Sequence, residues 1–266
     1  MPTISVIIGA YNCAATLPEA LDSLYAQSYK DFDIIICDDG SSDNTHAICE
    51  EYCKTKDNVQ LLKNNRNMGL NYTLNRCLLV AYEGGARYIA RMDGDDVSLP
   101  DRFQKEFDFL ESHPEYDFVS CPMNYFDEGG VFKTGTSKEG EPKSQEYVKS
   151  SPFCHAPVMV RAEAYRKVCG YTEETRLLRV EDYHLWYKFY LAGCKGWRLS
   201  EPLYEMRDDR NAAHRRTFNS RLNESYVKYL IVRDFHLPKW NYLYCVKPII
   251  VGLMPRKLYL YLHRRH

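Results

Sequence analysis

The sequence predicts an α/β protein in which a mostly parallel sheet carries helices on both faces. Three observations point to it. Wholly apolar runs such as "ISVIIG" (4–9) and "DFDIIICDD" (31–39) alternate with segments of helical periodicity. These runs lack the apolar–polar alternation of a strand with one wet face, as expected where both faces are covered. Their order through the first half is strand, helix, strand, which closes into one sheet through right-handed crossovers.

After "ISVIIG", the segment "TLPEALDSLYAQS" reads as a helix, with Leu17, Leu21 and Leu24 on one face and Thr16 and Glu19 at capping-box spacing. "DFDIIICDD" is the second strand, followed by a helix from about Ser42 to Lys54. "NVQLL" is the third strand, "GLNYTLNRCLLVAYE" a helix, and "ARYIARM" the fourth strand. "DRFQKEFDFLESH" is a helix and "DFVSC" a strand. From about residue 123 the rhythm breaks. A hairpin is expected in "NYFDEGGVFKTG" around Gly129-Gly130, a strand in "APVMV", a helix in "EDYHLWYKFYLAG" closed by Gly193, and extended chain in "KGWRLSEPLYEMR". Beyond Asn211 the pattern is helical and basic. The division expected is one domain over 1–210, with halves 1–122 and 123–210, and a helical extension over 211–266.

Composition narrows the function. The 266 residues are 45% hydrophobic and 27% charged, with a formal net charge of -1, so no global field recruits nucleic acid. The 10 cysteines show no CxxC pair or zinc spacing, which fits reduced thiols and a cytoplasmic location. No stretch reaches the ~18 apolar residues of a spanning helix. No acidic residue follows Asp234, whereas Lys239, Lys247, Arg256, Lys257, Arg264 and Arg265 do. Residues 238–266 therefore read either as a helix packed on the domain or as a peripheral contact with the inner face of a membrane.

In a doubly wound sheet, ligands bind beyond the carboxyl ends of the strands. With strand one central and strands two and four beside it, three polar loops converge there: "GAYN" (9–12), "DDGSSD" (38–43) and "DGDD" (93–96). Asp93, Asp95 and Asp96 crowd three carboxylates behind an apolar strand, with Arg91 the one nearby counter-charge in sequence. Carboxylates at Asp-x-Asp spacing suit a hard cation, Mg²⁺ or Mn²⁺, that also holds phosphates.

"SVIIGAYNCAATLPEALDSLYAQSYKDFDIIICDDGSSDNT", "NRNMGLNYTLN", "RMDGDDVSLPDRF" and "GYTEETRLLRVEDYHLWYKF" resemble, in order and spacing over roughly residues 3–195, the family 2 glycosyltransferases of the GT-A fold. The resemblance implies inverting transfer of a sugar from a nucleotide sugar, typically a UDP-sugar, to a hydroxyl of a glycan or lipid-linked acceptor in surface polysaccharide assembly. It makes 1–122 the nucleotide-binding half and 123–210 the acceptor half. Asp95 is then the metal ligand, Asp93 lies at the ribose or the metal, and Asp96 is a second ligand or a helix cap. Asp39 would accept a hydrogen bond from the base, with Tyr11 stacking near it. Asn67 and Arg91 complete the nucleotide-sugar set. Asp182, opening the helix "EDYHLWYKFYLAG", is implied as the general base, and Glu181 as structural.

Several residues depart from the pattern or carry a second reading. Relatives carry a tight Tyr-Arg-x-His motif where this chain has Arg207 and, seven residues on, His214. His155 in "FCHAPVMV" reads as a satisfied structural histidine, and Trp186 and Phe189, at helical spacing, as core. "DGDDV" also satisfies the Asp-x-Asp-x-Val loop of haloacid-dehalogenase phosphatases, but that loop follows a first strand and here it follows the fourth. A binding module without catalysis is opposed by the intact Asp39, Asp95 and Asp182.

Overall fold

A computed structural model describes residues 2–208 and 217–254. Two compact units emerge from the contacts: residues 1–141, 153–171 and 192–208 form the first, and residues 142–152, 172–191 and 209–266 the second.

The first unit carries every strand among the described residues: β1 (Ile4–Ala10), β2 (Phe32–Asp38), β3 (Val59–Lys63), β4 (Tyr88–Asp93), β5 (Val97–Ser98), β6 (Phe118–Ser120), β7 (Met123–Asp127), β8 (Gly130–Lys133), β9 (Val158–Arg161), β10 (Gly196–Arg198) and β11 (Tyr204–Arg207). Between them run α1 (Leu17–Tyr25), α2 (Thr45–Thr55), α3 (Leu70–Glu83) and α4 (Arg102–Ser112). The main sheet is seven-stranded in the order β10-β6-β9-β4-β1-β2-β3. Strand β1 pairs in parallel with both β2 and β4, as the apolar runs predict. Ile4, Val6, Ile7 and Ile8 of β1 and Ile34, Ile35 and Ile36 of β2 are fully buried, so both faces of the central strands are dry.

Beyond β4 the parallel order stops. Strand β9 inserts antiparallel between β4 and β6, pairing Ala90 with Met159 on one side and Val119 with Met159 on the other. A smaller sheet, β5-β11-β7-β8, joins the loop after β4 to the second half of the sequence. The hairpin expected at Gly129-Gly130 is present, with Gly130 at φ +96 where a β-carbon would be strained.

Helix α4 buries a charged pair rather than a purely apolar face. The Arg102 Nε lies 3.1 Å from Glu106 Oε2, and Arg102 also donates to the Arg91 carbonyl at 3.0 Å. The guanidinium thus anchors β4 two residues before its carboxylates begin. The capping box expected at Thr16 does not form. The Thr16 hydroxyl donates to the Gly94 carbonyl at 3.0 Å, a tertiary bond that takes the place of the local cap.

The second unit is helical: α5 (Ser144–Lys149), α7 (Glu181–Leu191), α8 (Phe218–Asp234) and α9 (Leu243–Leu253), while the short α6 (Ala162–Lys167) follows β9 in the first unit. Trp186 and Phe189 of α7 are fully buried, as their spacing predicts. Lys228 of α8, also buried, donates from Nζ to the Val148 and Lys149 carbonyls at 2.7 and 2.9 Å, satisfying the C-terminal end of α5.

Candidate active site

The register of the sheet brings the three polar loops together. Gly9 pairs with Cys37 and with Asp93, and Ala10 with Asp38, so β1, β2 and β4 end level with one another. Backbone and side-chain bonds then stitch the loops. Asn12, at φ +49, accepts the Ser42 amide on Oδ1 at 2.8 Å, and its own amide donates to Ser41 Oγ at 3.0 Å. The Cys13 amide donates to Thr45 Oγ1 at 2.9 Å, and the Ala14 amide to Asp43 Oδ2 at 3.1 Å. The serines and aspartate of "DDGSSD" therefore fix the neighbouring "GAYN" loop. Tyr11, in the middle of that loop, exposes its ring.

Asp39 is almost completely buried and already holds three donors. Its Oδ1 accepts Asn64 Nδ2 at 2.6 Å and the Met68 amide at 2.8 Å, and its Oδ2 accepts the Gly69 amide at 2.9 Å. A carboxylate offers roughly four acceptor positions, so one remains for a further donor such as an imide N–H. Gly40 makes this arrangement feasible. At φ +71, a β-carbon there would stand 2.6 Å from the backbone of Arg66. Asn67 lies exposed in the loop that Asp39 clamps.

At the end of β4, buried Arg91 grips half-buried Asp93 through its two terminal guanidinium nitrogens, Nη1 donating to Oδ2 at 2.7 Å and Nη2 to Oδ1. Burial opposes the Arg91 charge, but the Asp93 charge and bonds more than offset it and raise its pKa. The Asp93 amide in turn donates to the Tyr204 hydroxyl at 3.1 Å. Asp95 is exposed at the tip of the turn. Asp96 is buried, with Oδ1 accepting the Arg207 amide at 2.8 Å, while Oδ2 makes no regular hydrogen bond among the described residues. Burial, then the charges of Asp93 and Asp95, push the Asp96 carboxyl up to about 8.

The residues present fit a hard divalent cation. Asp93, Asp95 and Asp96 each offer an oxygen within 4.8 Å of the others. Asp96, expected from the sequence as a second ligand or a helix cap, lies within this group of candidate ligands.

Arg207, like Tyr204 and Asn64, is a residue of this site to which the sequence assigned no role. Its Nε donates to the Asp95 carbonyl at 3.0 Å, its Nη2 pairs with Glu19, and its guanidinium lies 4.4 Å over the Phe126 ring. The run "YEMR" in β11 placed it near the turn only once β11 was known to pair with β5. His155 is held by a neighbouring tyrosine, near Arg91. Its Nε2 lies 2.8 Å from the Tyr171 hydroxyl, and burial followed by the Arg91 charge lowers its pKa well below the usual imidazole range. His214 lies outside the described residues. Asp182 is half-buried in the first turn of α7, in the second unit, beside Glu181.

Comparison with known proteins extends this picture. The family model described as glycosyl transferase family 2 matches residues 5–169. EpsE of Bacillus subtilis (strain 168) is 39% identical over 265 residues, spanning 99% of this chain and 94% of that protein. An Escherichia coli protein, UDP-Gal:alpha-D-GlcNAc-diphosphoundecaprenol beta-1,3-galactosyltransferase, is 26% identical across 99% of this chain and 96% of its own length. Among solved structures, residues 1–349 of S. aureus TarS with UDP superimpose with a TM-score of 0.69 at 19% identity, covering 94% of this chain and 70% of that one. The mannosyltransferase PcManGT of Pyrobaculum calidifontis, in complex with GDP-Man and Mn²⁺, gives 0.67 at 16% identity, covering 99% and 79%. These superpositions show that the chain shares the GT-A fold of the two enzymes. With the family model matching more than half of its length, the chain belongs to glycosyl transferase family 2 and is a glycosyltransferase.

Proposed function

We propose that the protein transfers a sugar from a UDP-sugar to a hydroxyl of a lipid-linked saccharide, with inversion at the anomeric carbon, in the assembly of a surface polysaccharide. The observation that carries this reading is the level ending of β1, β2 and β4, which gathers Tyr11, Asp39 and the Asp93–Asp96 turn at one edge of the sheet. A uridine donor is supported by the UDP in the TarS structure and by the UDP-Gal in the name of the Escherichia coli relative. That relative's name also supplies the lipid-linked acceptor.

In this reading the Tyr11 ring stacks on the base, and the remaining acceptor position of Asp39 takes the base N–H. Asn67 lies on the clamped loop at the same edge. Asp95 and Asp96 hold Mn²⁺ or Mg²⁺, with Asp93, oriented by Arg91, at the ribose or the same ion. When bound, the ion supplies positive charge to the diphosphate leaving group. Asp182 takes the proton from the acceptor hydroxyl as its oxygen bonds to the anomeric carbon and the bond to the diphosphate breaks. The acceptor sits at the cytoplasmic face of a membrane.

Two variants test the assignments. Asp182→Asn should lower transfer by ~100-fold or more while donor affinity stays near wild type; wild-type turnover in that variant would remove Asp182 from the mechanism. Asp95→Ala should abolish the dependence of UDP binding on Mn²⁺ in calorimetry. An unchanged metal dependence would move the ion elsewhere.

A further inference from the structure

Helix α9 reverses the usual rule for a surface helix. One side packs closely on α8. A β-carbon on Gly252 would meet the Phe218 ring at 2.8 Å, Ser225 Oγ donates to the Cys245 carbonyl at 2.6 Å, and Pro248 is buried. The side opposite these residues carries Leu243, Val246, Ile250 and Leu253, which are 72%, 46%, 58% and 70% exposed. An ordinary surface helix sets charged residues there. Here Lys247 is the single charged residue of α9. On α8, Phe218, Leu222 and Tyr229 are exposed as well.

We propose that this exposed face of α9 seats in the headgroup boundary of an anionic lipid bilayer. Length decides the orientation. Eleven residues rise only about 16 Å, and no described helix is long and apolar enough to cross a membrane, so α9 lies in the plane of the surface. Charge decides the occupant. Exposed Lys239 and Lys247 border the apolar stripe, and the sequence beyond α9 adds Arg256, Lys257, Arg264 and Arg265 with no acid after Asp234. That complements anionic headgroups and opposes a second copy, which would bring like charges together. Trp240, exposed beside the stripe, is a residue type that settles at the water–lipid boundary. The inference stands on this surface and not on the donor assignment.

Flotation of the full chain with vesicles tests it. Wild type should float with phosphatidylcholine vesicles that contain phosphatidylglycerol, and roughly tenfold less with phosphatidylcholine alone. Leu243→Glu combined with Ile250→Glu, both at exposed positions, should lower anionic-vesicle binding roughly tenfold. Anionic vesicles should also shift wild-type tryptophan emission to the blue, and Trp240→Phe should abolish the shift. Far-ultraviolet circular dichroism and a cooperative thermal transition equal to wild type show that the double variant is folded. Unchanged vesicle binding in the double variant, no binding by wild type, or a wild-type dimer that the double variant dissociates would each overturn the proposal. Failure of wild type to bind UDP would strike the donor assignment and leave this one standing.

Discussion

Replacing Arg91 by methionine removes both bonds to Asp93 and leaves that carboxylate facing Asp95 and Asp96 without its counter-charge. We expect Arg91→Met to cost about 2 kcal/mol of stability in urea unfolding. Asp93→Asn in the same chain should recover part of the loss, because the neutral amide no longer needs the guanidinium. Strictly additive costs would show that the two side chains do not act as a pair. The sequence placed Arg91 and Asp93 two residues apart on one strand, so alternation alone put them on the same face. Asp39 was legible only in part. Its position at a strand end marked it as a ligand for something, but two of its three donors are the backbone amides of Met68 and Gly69. Backbone amides carry no signature in sequence. Nor could spacing show that Thr16 bonds Gly94, which lies far along the chain, rather than its own helix.

Helix α7 ties two roles to one element, since Asp182 lies in its first turn and His184, two residues on, is buried. Burial, with a smaller contribution from Lys188, lowers the His184 imidazole to about 4. The folded state therefore resists a proton that the unfolded chain accepts from pH 6.5 downward. Stability from this group is complete above 6.5 and is lost as pH falls toward 4, by about 3 kcal/mol at most. His184→Gln should flatten stability across that window relative to wild type, measured by urea unfolding at pH 7 and pH 4.5. An equal acid loss in both proteins would assign it to other groups. Among the strands, the apolar run "APVMV" was recognisable as buried. Its direction was not, because a strand covered on both faces looks the same whichever way it runs. Only the pairs Phe118 with Val160 and Tyr88 with Arg161 settle that β9 is antiparallel.

At the scale of the whole molecule, the chain leaves the first unit and returns to it twice before Asp208. The four parallel strands that set the site come from contiguous sequence, which is why they could be read directly. The second unit gathers residues 142–152 and 172–191 with a segment that begins at 209, and no periodicity announces so distant a partnership. A chain ending at Asp208 would keep Tyr11, Asp39 and Asp95 but strip Lys228 from α5 and the cover of α8 from α7. We propose that the helices beyond 209 serve as an extension required for catalysis. The truncated chain should still bind UDP in calorimetry while losing transfer by ~100-fold, because the helix bearing Asp182 has lost its support. Transfer at the wild-type rate would show that the extension is dispensable.

The same discontinuity bears on how the protein is made. All segments of the first unit have been synthesised once Asp208 is added, whereas α8 ends 26 residues later at Asp234. At ~5–20 residues per second that is a delay on the order of seconds on the ribosome. Through it the flank of α7 that carries Tyr183 and Tyr187 waits for Lys228 and Asp234 of a helix not yet translated. A slowed or stalled ribosome in this interval would leave a nascent chain with its nucleotide-binding sheet formed and a sticky helix exposed, the state that chaperones recognise.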